Sequence, residues 1–166
     1  LWPKWKASLG IKANQVADTL KERANIFLRV NIIKGTRKDA IQALEKDGII
    51  SKFHPTVSTA LIVRKGTRKI KNSQAYNIGL VELQDASSQA SVLKLNIDQS
   101  GPVLDFCAGG GGKSLALSAY LNKPIFAYDA NFERMKDLPN RACRSGANIR
   151  VIKSNDLKKS HYGLVF

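Results

Sequence analysis

The sequence predicts an α/β chain, in which a Rossmann-like parallel sheet, cut short at its fourth strand, follows a small α+β domain. Beyond Leu83, apolar strand-like and helix-like stretches alternate: 102–106, 113–121, 125–128, 131–143, 149–153 and 164–166 spell β-α-β-α-β-x-β. Inside that alternation, 101–114 reads as a short buried strand, an Asp at its carboxyl end, four successive glycines and a helix opening at Lys113. Before Leu83 the pattern is different, with three strands, one helix and a much more basic composition. The expected division is therefore a helical leader over 1–24, an α+β domain over 25–83, and the first half of a Rossmann-like domain over 84–166.

In the leader, Trp2 and Trp5 flank Pro3, and Val16, Leu20 and Ala24 fall near a helical period. The two tryptophans are expected to pin the leader to the next domain. Residues 26–30 are a strand by β-branched and apolar content, and Thr36 is a candidate N-cap for a helix over 38–46 carrying Ala40, Ile41 and Leu44 on one face. Gly48 stands where a helix end favours a left-handed residue. Residues 60–63 and 80–83 are further strands. Between them, 64–71 holds five basic residues in eight, readable as a solvated loop or as a phosphate contact. The pattern is that of an RNA-recognition-type module without its base-stacking aromatics. A helix from Gln84 with Ala86, Ala90, Leu93 and Ile97 on one face leads into the second domain, where Pro139 is expected to kink or split the helix at 131–143.

With 27 Lys and Arg against 13 Asp and Glu the chain carries +14, of which +10 lies in 1–83 and +4 in 84–166. Such an excess favours a polyanionic partner, most simply nucleic acid, over a merely solubilising surface. No run approaches the ~18 apolar residues of a membrane span. Cys107 and Cys143 are too few for a disulfide framework and lack zinc-ligand spacing, so a reducing cytoplasm is expected; no metal and a monomer are separate expectations. Leu1 in place of Met, and a final run from Tyr162 to Phe166 with no closing polar residue, point to a piece of a longer polypeptide.

Three cofactor classes use a glycine turn between strand and helix. A phosphate loop needs its first glycine at 107, which is Cys107, although Gly112-Lys113-Ser114 keeps that reading open. The dinucleotide fingerprint would need glycine at 114, which is Ser114. S-adenosylmethionine (SAM) sites want acids at successive strand ends, and Asp105, Asp129 and Asp156 occupy them, where open α/β sheets bind ligands.

The stretch Asp105-Phe-Cys-Ala-Gly-Gly-Gly-Gly-Lys-Ser114 resembles the cofactor motif of the RsmB/Sun family of RNA (cytosine-5)-methyltransferases, whose usual form is Asp-x-Cys-Ala-x-Pro-Gly-Gly-Lys-Thr. Pro3-x-Trp5, Leu28-Arg-Val-Asn31 with Lys34 and Thr36-Arg37, and Gly79 to Gln89 resemble the family's amino-terminal RNA-binding segment and its linker. Gly110 in place of Pro should loosen the turn, and Ser114 in place of Thr keeps a hydroxyl. The resemblance implies a SAM-dependent rRNA cytosine-C5 methyltransferase, 16S rRNA being the expected substrate. It implies cofactor contacts from Cys107, Ala108, Gly109, Gly110, Gly111, Gly112, Lys113, Asp129, Arg134 and Asp156, the backbone N–H groups of 108–113 lining the methionine end. RNA contacts would come from Arg29, Asn31, Lys34 and Arg37. The family's nucleophilic Thr-Cys and Asp-Ala-Pro-Cys motifs are absent, so no catalytic residue is assigned; Cys107 is expected to be a small buried side chain. A P-loop NTPase and a non-catalytic RNA-binding protein are the other classes the sequence leaves open.

Overall fold

Two four-stranded sheets, one antiparallel and one parallel, are joined through a helix that packs between them. The structure is a computed structural model and describes residues 1–95, 101–157 and 161–166.

The leader forms α1 (Trp2–Leu9) and α2 (Ala13–Lys21), separated by one 3₁₀ turn at Gly10–Lys12. The expected tryptophan anchor does not form. Trp2 and Trp5 lie three apart on one helical face and pack on each other, centroids 6.3 Å apart, with the Lys6 ammonium over Trp2. Helix α1 buries no residue, and Ile11 and Leu20 stand exposed.

The first sheet contains β1 (Ile26–Val30), then α3 (Arg37–Lys46), β2 (Ile50–Phe53), β3 (Ala60–Lys65), α4 (Gln74–Asn77) and β4 (Val81–Leu83). Its order is β2-β3-β1-β4, antiparallel throughout, the β-α-β-β-α-β arrangement of ferredoxin-like domains. Strand β2 was not anticipated: Ile50-Ser-Lys-Phe53 is short and half polar, and its pairing with β3 supplies what its composition lacks. The basic run also proves ordered, since Arg64 and Lys65 extend β3 and Thr67–Asn72 is a 3₁₀ turn. One face of the sheet packs Leu28, Val30, Leu61 and Val63 on Ala40 and Leu44 of α3. The other face is covered by α5 (Ala86–Leu93), whose Ala86, Ala90 and Leu93 meet Phe27 and Ala60. An RNA-recognition module would stack bases with exposed sheet aromatics, so this cover accounts for the missing aromatic signature. Ile97, expected on the same helix face, lies outside the described residues.

Helix α3 starts in a full capping box: Thr36 Oγ1 accepts the Asp39 N–H and Asp39 Oδ2 accepts the Thr36 N–H at 2.8 Å. Thr36→Ala is expected to cost about 1 kcal/mol, read as a lower denaturant midpoint; an unchanged midpoint would mean the helix end is held by packing alone.

The second sheet contains β5 (Val103–Asp105), then α6 (Gly112–Leu121), β6 (Ile125–Ala127), α7 (Leu138–Ser145), β7 (Ile149–Val151), α8 (Ser154–Leu157) and β8 (Leu164–Val165). All pairings are parallel and the order is β7-β6-β5-β8, so the chain reverses its direction of travel across the sheet beside β5. That switch opens a crevice at the carboxyl ends of the strands, and the glycine turn leaves β5 there. The helix predicted at 131–143 is split into a 3₁₀ turn (Phe132–Met135) and α7, with Pro139 in the first turn of α7, where a missing N–H costs nothing. Among the described residues, no helix is long and apolar enough to cross a membrane.

Candidate cofactor site and the seam behind it

The glycine turn is closed by a buried hydrogen bond. The Ser114 hydroxyl donates to Asp105 Oδ2 at 2.6 Å, with Asp105 2% exposed and Ser114 fully enclosed. Burial pushes the Asp105 carboxyl above its usual range, partly offset by that hydroxyl. Within the turn, the Ala108 N–H donates to Tyr128 O (2.9 Å), the Gly109 N–H to Asp129 Oδ2 (2.8 Å) and the Gly111 N–H to Ala108 O (2.8 Å). Three of the donors expected to face a ligand are therefore used to fold the loop. The N–H groups of Gly112 and Lys113, in the first turn of α6, keep the orientation of an anion-facing helix start.

Asp129 follows β6 and is 5% exposed. Its Oδ1 accepts the Asn131 N–H at 2.9 Å, its Oδ2 accepts the Gly109 N–H, and Arg134 Nη1 lies 3.3 Å from Oδ2. The Asn131 and Gly109 N–H groups, with Arg134, hold the carboxyl below the ordinary range and outweigh its desolvation. The group is an anion at neutral pH with one lone pair still free on Oδ1. Beside it opens a cleft of ≈350 Å³ lined by Tyr128, Asp129, Ala130, Phe132, Ile152, Lys153 and Ser154. This lies within the ~300–1,000 Å³ range of small-ligand sites. Its apolar walls, Phe132 and Ile152, were not singled out in the sequence; Ile152 directly follows β7 and Phe132 lies three residues past Asp129, and that closeness to the strand ends was the available signal.

Asp156 sits in α8, where its Oδ2 accepts the Lys153 N–H at 3.4 Å; it borders the cleft through its neighbours and is not one of the residues lining it. The Lys113 ammonium lies over the Phe166 ring, 5.4 Å from its centroid. Cys107 is exposed, contrary to expectation, because the turn directs 106–107 outward while Ala108 fills the buried position; Cys143 is exposed as well.

Behind the loop, the first sheet grips the second domain. Arg29 Nη1 donates to Gly112 O (2.6 Å) and to Gln84 Oε1 (2.8 Å). Burial lowers the Arg29 pKa to about 10, against the opposing pull of Glu82, so it stays charged at neutral pH. Glu82 of β4 takes Arg144 Nη2 at 2.7 Å and Arg141 Nη2 at 3.5 Å, and Arg141 also donates to Gly110 O. Asn31 Nδ2 donates to Gly79 O (3.0 Å) and Ser145 O (2.7 Å), and Lys34 Nζ to Ile78 O (2.6 Å) and Arg144 O (2.7 Å). This corrects the reading of Arg29 and Asn31, two of the four residues expected to contact RNA. Arg29 and Asn31 are each 4% exposed and hydrogen-bond to the protein, because side chains pointing off that face of β1 meet α5, α6 and α7 instead of solvent. Lys34 is exposed but engaged, and Arg37 lies over the Phe53 ring at 4.4 Å.

Comparison with known proteins agrees with this architecture. A family model described as the RsmF/B-like methyltransferase, ferredoxin-like domain matches residues 1–69. The human 28S rRNA (cytosine(4447)-C(5))-methyltransferase is 31% identical over 134 residues, covering 79% of this chain and 16% of that protein. Ribosomal RNA small subunit methyltransferase B of Serratia proteamaculans is 30% identical over 123 residues, covering 74% and 28%. These similarities support membership of the RsmB/Sun family of RNA (cytosine-5)-methyltransferases. It spans less than a third of the length of either curated relative. The fold is shared with NSun6 from Pyrococcus horikoshii, solved with SFG, at a TM-score of 0.82 and 16% identity, covering 95% of this chain and 65% of that one.

Both departures from the RsmB/Sun motif have structural counterparts. Ser114 retains the hydroxyl that closes the turn on Asp105. Gly110, where the family has Pro, has its carbonyl fastened by Arg141, so the looser residue is restrained from outside the loop.

Proposed function

We propose that this chain supplies RNA holding and cofactor binding to a SAM-dependent rRNA cytosine-C5 methyltransferase, with 25–83 as the RNA-holding domain and 84–166 as the first half of the cofactor domain. One observation carries the cofactor reading: Asp129, a buried anion, is tied directly to the glycine turn through Gly109 and borders an apolar-walled cleft at the carboxyl ends of β6 and β7. The residues fit the group. The free lone pair on Asp129 Oδ1 suits a ribose hydroxyl, Phe132 and Ile152 suit a purine face, and the start of α6 suits the carboxylate of the methionine end. Arg134, 62% exposed along its side chain, can leave Asp129 Oδ2 to make room for a hydroxyl while keeping the carboxylate charged. When bound, the cofactor supplies an electrophilic methyl group; the chain's own part is to orient and desolvate it. Cys107 and Cys143 take no covalent role in this proposal.

The phosphate-loop alternative loses ground on Ser114. A Walker A loop offers that hydroxyl to magnesium, whereas here it is given to buried Asp105. Asp129→Ala is expected to raise the apparent SAM dissociation constant at least tenfold, about 1.4 kcal/mol, in isothermal titration. An unchanged constant would remove Asp129 from the site. Magnesium-dependent binding of a nucleoside triphosphate would restore the phosphate-loop reading.

A further inference from the structure

We propose that the RNA backbone is held on a rigid basic ridge formed by Arg64, Lys65, Arg68, Lys69 and Lys71, at the end of the first sheet away from the cofactor loop. The proposal rests on the rRNA reading above and assigns it a surface. The seam has already taken Arg29 and Asn31 out of reach, so the cations that meet RNA must stand elsewhere. All five ridge residues are exposed, and among the described residues none forms an ion pair with a carboxylate. Their charge is therefore not neutralised locally, as it would be on a salt-bridged solubilising surface.

The backbone beneath them is fixed. Gly66 has φ +81°, and a Cβ there would stand 2.6 Å from Gly48 O, so the turn is seated against the end of α3. Ile70 is 2% exposed and acts as the plug of the 3₁₀ turn, and the Ser73 hydroxyl donates to Ile70 O at 2.7 Å. A solvated loop would show none of this anchoring. Cations displayed on a fixed backbone lose less freedom on binding than cations on a mobile one. The ridge frames two concavities: one of ≈280 Å³ lined in part by Arg23, Arg64 and Lys65, and one of ≈260 Å³ lined by Asp47, Arg68, Lys69, Asn72 and Ser73. Asp47 Oδ2 accepts the Gln74 N–H at 2.8 Å, so the acid at that edge serves the turn.

No aromatic residue lines either concavity, which fits contact with phosphates and not with base faces. Val63, at the ridge, pairs with Ile26 at the start of β1, whereas Arg29 near the other end of that strand meets Gly112. Three residues at ~3.3 Å each place the ridge about 10 Å or more from the cofactor loop. It would grip RNA flanking the modified base and set affinity, not the chemistry.

The test is fluorescence anisotropy of the wild-type protein and its R64Q/K65Q/R68Q/K69Q variant with a labelled rRNA hairpin, titrated across salt. The ridge predicts at least tenfold weaker binding and a log–log salt slope smaller by about 3, at ~0.7–0.9 per lost phosphate contact. SAM affinity and thermal midpoint should be unchanged, and the charge-preserving R64K/R68K variant should bind like wild type. Equal affinity and slope in wild type and variant would overturn the ridge while leaving rRNA binding in place. Failure of the wild-type protein itself to bind RNA would overturn the rRNA reading and the ridge with it.

Discussion

Glu82→Ala is expected to destabilise the protein by about 3 kcal/mol, the lower end of the cost of removing one partner from a buried ion pair. Glu82 is 6% exposed along its side chain and faces two guanidinium groups, Arg144 at 2.7 Å and Arg141 at 3.5 Å, which are 22% and 21% exposed. Arg29 lies close enough that both Glu82 and Arg141 perturb it. Without the carboxylate, three cations share a partly dry seam, and the residual exposure of the two α7 arginines lets water recover only part of the loss. Arg141 also holds Gly110 O, so weaker SAM binding should accompany the lost stability. Denaturant unfolding and isothermal titration on the same variant read both effects. A loss below about 1 kcal/mol, the range of exposed pairs, would show that the two domains are not locked through Glu82.

Gly111→Ala should be the most damaging substitution among the four glycines of the turn. Gly111 has φ +78°, and a Cβ there would lie 2.1 Å from Leu138 Cδ1, in a residue with no exposed surface. The left-handed backbone costs about 1–2 kcal/mol, and displacing a packed leucine costs about 1–3 kcal/mol more. Because Gly111 directly precedes α6, the strain falls on the ligand-facing N–H groups, and SAM affinity should drop more than tenfold. Gly112→Ala is the control: its φ is not left-handed, and the nearest atom to an added Cβ, Gln84 Nε2, is at an ordinary 3.6 Å. Equal behaviour of the two variants in thermal unfolding and SAM titration would show that the turn is not shaped by its packing on α7. Gly109 falls between them, since its φ is +52° but its close neighbour, at 3.1 Å, is the mobile end of Arg134.

The four glycines look alike in the sequence, and only their neighbours separate them. The same holds for the basic residues of the first domain. Arg29 and Lys65 are both strand cations, yet one is enclosed by the second domain and the other stands free at a sheet end. A strand's alternation shows which residues share a face, but not what covers that face. Here α5, α6 and α7 do so, and Gly112 and Ser145 of the last two reassign Arg29 and Asn31. Strand β2 escaped notice for a related reason, as four residues with two polar ones form a strand only because β3 offers a ladder.

What the sequence determined by itself was local and periodic. The β-α alternation fixed a parallel sheet, Thr36 fixed a helix start, and Asp105 with the glycine run fixed a tight turn between strand and helix, because strand and helix periods, capping groups and missing side chains act over a few residues. What only the tertiary structure decided was which polar groups face solvent. Arg29, Asn31 and Glu82 became a seam because their burial is settled by residues 55 to 114 positions away, and the 64–71 run became an anchored ridge because its turn is seated on Gly48; no local pattern records either contact.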